Sequence, residues 1–174
     1  AYNINLNTTS TRRANAVAFD IREAGRIKRE GGALSGKIMK DENENPLKEP
    51  GLFKAVKGIG WYIEEYGVAQ ISYNLTNINI SPLHEVFDKT CERALARGMR
   101  VTGSELIGLV PKKVLVDAGK YFLKKQERST GIPENDIITI AIKTLGLNEL
   151  TEFKARKRII EYLLEDTNEE GDES

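Results

Sequence analysis

Residues 2–7, YNINLN, alternate without exception between an apolar and an amide side chain. Period-2 alternation of this kind makes a strand that is buried on one face only, with Tyr2, Ile4 and Leu6 inward and Asn3, Asn5 and Asn7 outward. A chain that begins this way builds a sheet with one covered face and one open face. Asparagine is a poor strand former, so three of them on the open side call for polar partners there.

The elements that follow supply the cover. TRRANAVAFDIREAGRIKRE, at 11–30, places Ala14, Val17, Ala18, Ile21 and Gly25 at helical spacing, which predicts an amphipathic helix. The segment 31–51 carries four glycines, two prolines and a run of charge, and is expected to be a flexible excursion without core residues. Two strand-like runs, 52–65 and 68–80, meet at Tyr66 and Gly67 as a hairpin. Ser81 and Pro82 have the chemistry to start a second helix, which Gly98 ends, and 99–110 reads as a fourth strand. Pro111 opens a further helix, two more follow from about Pro133 on either side of Gly146, and an acidic tail at 166–174 is expected to be disordered.

Strand, helix, strand, strand, helix, strand is the split βαβ order, so the expected class is α+β with a ferredoxin-like βαββαβ antiparallel sheet, helices on one face and additional C-terminal helices. The expected organisation is a main unit at 1–128, a helical extension at 129–165 and the tail. In this arrangement the first and third strands are central. On the third, Ala69, Ile71, Tyr73 and Leu75 turn to the helices and Gln70, Ser72, Asn74 and Thr76 turn outward, beside the asparagines of the first. Gly58 and Gly60 in the second strand suit a close approach by a ligand or a bulge, while Ile59, Trp61 and Ile63 share a face on which Trp61 is expected to be core. The amide face would thus meet water, a planar polar ligand or a docked partner.

Composition narrows the classes. The 26 basic and 26 acidic residues cancel, which favours neither nucleic acid nor a membrane surface as partner. Base-binding sheets of this topology stack bases on aromatics of the open face, where this one carries amides. Apolar runs fall short of the roughly 18 residues of a spanning helix and no signal-peptide pattern opens the chain, so a cytoplasmic location is expected. One cysteine and one histidine leave neither an internal disulfide nor a zinc cluster, and no metal is expected. GGALSGKI at 31–38 matches a phosphate-loop spacing, but Ile38 stands where Ser or Thr is needed and the stretch follows a helix. His84, in the first turn of the second helix, is expected to be a neutral surface histidine, and Cys91 an inert, partly buried thiol.

NINL at 3–6, IREAGR at 21–26, KAVKGIGWYIEEYGVAQISYNLT at 54–76, RGMRVTGSELIGLVP at 97–111 and RIIEYLLE at 158–165 resemble the glutamate formimidoyltransferase family. The likeness is to the C-terminal subdomain of its formiminotransferase domain and covers nearly the whole chain outside 31–51. It implies transfer of a formimino group from N-formimino-L-glutamate to tetrahydrofolate in histidine breakdown, with folate as the acceptor substrate and a folate tunnel between two subdomains. The family's catalytic histidine belongs to the N-terminal subdomain, so this chain carries no catalytic residue by resemblance and would be inactive alone. His84 is not that histidine. The implied partners are the N-terminal subdomain, folate, formiminoglutamate and a second copy in a homodimer. The implied folate-side residues are Asn3, Asn5, Asn7, Gly58, Gly60, Gln70, Ser72 and Asn74. A non-enzymatic, small-molecule-binding regulatory module is the alternative, because a fold does not settle a function.

Overall fold

A computed structural model describes residues 1–32 and 35–171. The chain begins with β1 (Tyr2–Leu6), α1 (Thr11–Ile21) and two short strands, β2 (Arg26–Ile27) and β3 (Lys48–Glu49). A long hairpin, β4 (Val56–Ile63) and β5 (Val68–Leu75), leads to α2 (Leu83–Leu95), β6 (Val101–Leu106) and α3 (Lys112–Lys125). Three helices complete it: α4 (Glu134–Leu145), α5 (Ala155–Arg158) and α6 (Ile160–Gly171).

The main sheet is antiparallel and ordered β4-β5-β1-β6, so β1 and β5 lie at the centre, where the alternation places them. Tyr2, Ile4 and Leu6 of β1 and Ala69, Ile71 and Tyr73 of β5 are all buried against the helices. Ala14, Val17, Ala18 and Ile21 bring the apolar stripe of α1 onto that face, and Ser10 starts the helix by accepting a hydrogen bond from the Arg13 N–H. The helix stops at Ile21, short of the 11–30 expected. Gly25 belongs to the turn beyond it, with φ at 57°, and a Cβ there would lie 1.8 Å from the Glu49 carbonyl oxygen. A position that needs both a left-handed backbone and no side chain mimics a helical small residue when only spacing is read.

Trp61 is not a core residue. Its register partner is Gln70, and Ile59 pairs with Ser72, so both side chains stand on the open face; Trp61 is 52% exposed. The covered side of β4 is taken instead by Val56, Gly58 and Gly60. A Cβ on Gly60 would sit 2.7 Å from both Ala14 Cβ and the Asn15 backbone nitrogen, and one on Gly58 would sit 2.7 Å from the Tyr73 ring. The close approach that these glycines allow is therefore that of α1 and Tyr73. Helix α1 also closes the free edge of β4: the Asn15 side chain accepts from the Gly60 N–H at 2.9 Å and donates to its carbonyl at 3.3 Å, and Arg22 donates to the Gly58 carbonyl at 3.2 Å.

Ser81 does not cap α2. Its hydroxyl donates to the Lys54 carbonyl at 2.6 Å, and Pro82, with no side-chain cap, precedes the helix. The segment expected to be an irregular excursion folds as a narrow hairpin: β2 pairs with β3, and Arg29 and Lys40 bridge to Ile38 and Pro46. None of its residues from 35 to 50 is buried. Ala33 and Leu34, within the GGALSGKI stretch, lie outside the described residues.

The C-terminal helices and their connections share the main core, to which they contribute Ile138, Ala141, Leu145, Phe153, Ile159 and Tyr162. Gly119 lets α3 and α4 touch, since a Cβ there would meet the Ile137 carbonyl oxygen at 2.2 Å. Gly146, left-handed at φ 63°, ends α4. The turn after it covers the edge of β6, where the Ser104 N–H donates to the Gly146 carbonyl at 3.1 Å and the Ser104 hydroxyl to that of Leu145 at 2.6 Å. Helix α6 runs on to Gly171, through part of the stretch expected to be disordered; 172–174 lie outside the described residues. No helix among the described residues is long and apolar enough to cross a membrane.

Candidate functional site on the open sheet face

The open face is assembled from the outward positions of β1, β4, β5 and β6, and its asparagines have three different fates. Asn5 is fully buried. Its amide oxygen accepts from Gln70 Nε2 at 2.7 Å, and its amide nitrogen donates to the Glu149 carboxylate, which reaches over from the turn after α4. Gly103 makes room for that crossing, because a Cβ there would lie 2.5 Å from Glu149 Cβ. Gln70, itself 4% exposed, also comes within 3.5 Å of Glu105 Oε2. Asn5 and Gln70 therefore form the inner part of a closed polar chain. Asn7 lies past the end of β1, exposed, where its side chain accepts from the Arg100 N–H at 2.6 Å and ties β1 to the start of β6.

Asn3 differs from both. Its register partners are Ser72 and Glu105, and its amide oxygen is buried with no hydrogen-bond partner among the described residues. A buried acceptor left in that state is destabilising by about 1 to 3 kcal/mol, so the position favours a donor arriving from outside the chain. Ser72 is half-buried and Asn74 exposed along the same row. Beside them runs a groove of about 740 Å3 whose walls include Ala1, Lys57, Ile59, Ser72 and Asn74. One strand over, the indole of Trp61 is largely exposed opposite Gln70. Acceptors in a row, a flanking groove and a neighbouring indole together suit a flat molecule with N–H and amide edges.

Of the residues expected on this face, Asn3, Gln70, Ser72 and Asn74 are brought together, Asn5 is enclosed beneath them, Asn7 is displaced to the strand end, and Gly58 and Gly60 turn the other way. Trp61, Ile59, Glu105 and Glu149 complete the face and were not anticipated. The glycines held the clue to Trp61: two residues without side chains in alternate positions mark the side on which another element presses closest.

Two further reactive groups lie on α2. His84 is buried, 8% exposed, with its ring 4.6 Å from that of Tyr121, so it is not the surface residue expected. Burial lowers its pKa from the ordinary value near 6.5, against the smaller opposite pull of Glu85, Asp117 and Asp88. The folded protein thus binds this proton less readily than the unfolded chain, and the contribution of neutral His84 to stability is complete above the unfolded pKa and declines as the pH falls below it. Chemical denaturation at pH 7 and pH 5 should show the chain weakened at the lower pH, and His84→Gln should flatten that dependence. An unchanged slope in the variant would assign the acid sensitivity to other groups. Cys91 is half-buried, and its thiol is pushed up to about 11 by burial, a state unsuited to nucleophilic attack. Among the described residues no group of three or more His, Cys, Asp and Glu side chains could hold a metal ion.

The family model for the formiminotransferase domain matches residues 1–165. The chain belongs to the formiminotransferase family. It is 41% identical over 165 residues to formimidoyltransferase-cyclodeaminase of Gallus gallus, a match spanning 95% of this chain and 27% of that protein. It is 35% identical to the protein of that name in Dictyostelium discoideum, over 95% of this chain and 27% of the relative. Glutamate formimidoyltransferase of Streptococcus pyogenes serotype M1 is 30% identical over 73% of this chain and 34% of its own length. This formiminotransferase domain segment therefore spans about a quarter to a third of the relatives it matches.

Proposed function

We propose that this chain is the C-terminal, folate-side half of a glutamate formimidoyltransferase, which moves the formimino group from N-formimino-L-glutamate to tetrahydrofolate in histidine degradation. The reading rests on family membership together with one feature of the open face, the buried amide oxygen of Asn3, which has no hydrogen-bond partner among the described residues and shares its face with the half-exposed indole of Trp61 two strands away. Asn3 accepts a hydrogen bond from the pterin edge, Ser72 and Asn74 extend that row, and Trp61 packs on the flat ring system. Asn5 and Gln70 act from beneath, holding the row in place. This half binds and orients the acceptor substrate. An N-terminal subdomain, facing the same sheet, supplies the catalytic histidine, and the complete enzyme is a cytoplasmic homodimer.

Two variants test the proposal in the complete enzyme. Asn3→Leu removes an acceptor that the free chain leaves unpaired, so the chain alone should keep or gain thermal stability, while the KM for tetrahydrofolate should rise about tenfold. Trp61→Ala, at a half-exposed position, should reduce stability by no more than about 1 kcal/mol and likewise weaken folate binding. Unchanged tetrahydrofolate kinetics in both variants would refute the assignment of this face. Folate binding by the complete protein without any formimino transfer would favour a regulatory module instead.

A further inference from the structure

On the far side of α1 from the sheet, the outer stripe of that helix and the hairpin that begins at β2 enclose a second cavity of about 780 Å3. Arg22 stands between it and the groove beside Ser72 and Asn74 and lines both, but Asn3, Gln70, Ser72, Asn74 and Trp61 take no part in it. Five cations line it, Arg12 from α1, Arg22 from its C-terminal cap, and Arg26, Lys28 and Arg29 from the hairpin, against a single acid among its lining residues, Glu49. In a protein whose 26 basic and 26 acidic residues balance overall, this concentration is local. Among the described residues only Arg26 is neutralised by a carboxylate, that of Asp20. Arg22 and Arg29 are held by backbone carbonyls, Arg22 by those of Gly25 at 3.0 Å and Gly58 at 3.2 Å, and Arg29 by that of Gly36 at 2.9 Å. Carbonyl contacts fix the direction of a guanidinium without cancelling its charge. Neither Arg12 nor Lys28 has an ion-pair partner among the described residues.

The floor is apolar. Phe19 carries Arg22 over its ring at 3.9 Å, and Ile27 and Met39, each 39% exposed, face the same space. Burial without a compensating acid lowers the pKa of Arg22, which means that an added anion would be favoured there. The volume falls within the range of roughly 300 to 1,000 Å3 typical of small-molecule sites.

We infer that the cleft between α1 and the β2 hairpin is a binding site for an organic polyanion, an apolar or aromatic body bearing two or more phosphate or carboxylate groups. The oriented arginines receive the oxyanions in the forked geometry that suits them, and Phe19, Ile27 and Met39 receive the body. This site does not rest on the folate-side reading, because Arg12, Lys28, Phe19, Ile27 and Met39 line this cavity alone and Arg22 is the residue that it shares with the groove beside the open face.

Calorimetric titration of the full chain at low ionic strength tests it with two matched pairs of probes: ATP against tripolyphosphate, and benzene-1,3,5-tricarboxylate against citrate. The expected result is that the aromatic member of at least one pair binds with Kd below about 1 mM and more tightly than its bare counterpart, the responding pair naming the oxyanion class. The double variant Arg12→Ser/Lys28→Ser should weaken that binding about tenfold, with an unchanged melting temperature. If the double variant is less stable, Arg12→Gln, at an exposed helix position, gives the same reading with a smaller loss. Absence of binding by all four probes, equal binding of aromatic and bare anions, or undiminished binding in the variants would overturn the inference.

Discussion

Replacing Gly60 by valine should be destabilising by about 3 kcal/mol or more, a large part of what a domain of this size has to lose. The new Cβ would come within 2.7 Å of the backbone nitrogen of Asn15 as well as of Ala14 Cβ, and a helix backbone, unlike the end of a flexible side chain, has no rotamer by which to move aside. To admit the valine, α1 must lift from β4, which separates the buried Ala14 from the sheet and pulls the Asn15 amide away from the Gly60 N–H and carbonyl it satisfies. Ile59→Val, one residue away on the open face, is the control and should leave stability within about 1 kcal/mol. Urea denaturation of the two variants side by side would decide it: equal midpoints would show that the contact between α1 and β4 yields without loss.

The second large effect is expected at Asn5. Asn5→Leu would take from Gln70, which is 4% exposed, its near acceptor, leaving it the Glu105 carboxylate at 3.5 Å, and would release Glu149 from the sheet, for a loss of about 2 kcal/mol. For a chain of this length that corresponds to a fall of roughly 4 to 8 °C in melting temperature. The exposed Glu149 can find water, so most of the loss belongs to Gln70. Set beside Asn3→Leu, the comparison separates two asparagines that the period-2 pattern places on one face. The first should lower the melting temperature of the isolated chain, and the second should leave it unchanged or raise it. The same melting temperature for both variants would mean that the hydrogen bond from Gln70 to Asn5 contributes nothing net.

The covered side of the central strands was legible because β1 and β5 are each crowded by neighbours on both edges, and their apolar residues have only one face on which to bury. Edge strand β4 faces the opposite way from the one its pattern predicts. Ile59, Trp61 and Ile63 form a more apolar row than Val56, Gly58 and Gly60, and hydrophobicity alone turns that row inward. What turns it outward is the distance of α1, which leaves space for hydrogen atoms at 58 and 60 and for nothing larger. Its place before Pro82 suits Ser81 to a cap, whereas the Lys54 carbonyl, 27 residues away in sequence, takes its hydroxyl.

What the order of residues determined by itself was local or periodic: the six-element α+β order, the central place of β1 and β5, the apolar stripe of α1, the glycine that ends α4, and the family resemblance carried by the hairpin and by RVTGSELIGLVP. Periodicity registers each side chain against its own neighbours, which is all that those features need. The tertiary structure decided how three equivalent asparagines divide. Glu149 comes from 144 positions beyond Asn5 to enclose it, Arg100 draws Asn7 to the strand end, and Asn3 alone of the three keeps a buried oxygen with no donor among the described residues. Alternation sets which face a side chain shares, but whether its polar atoms are paired depends on groups brought from distant parts of the chain, and no local pattern records them.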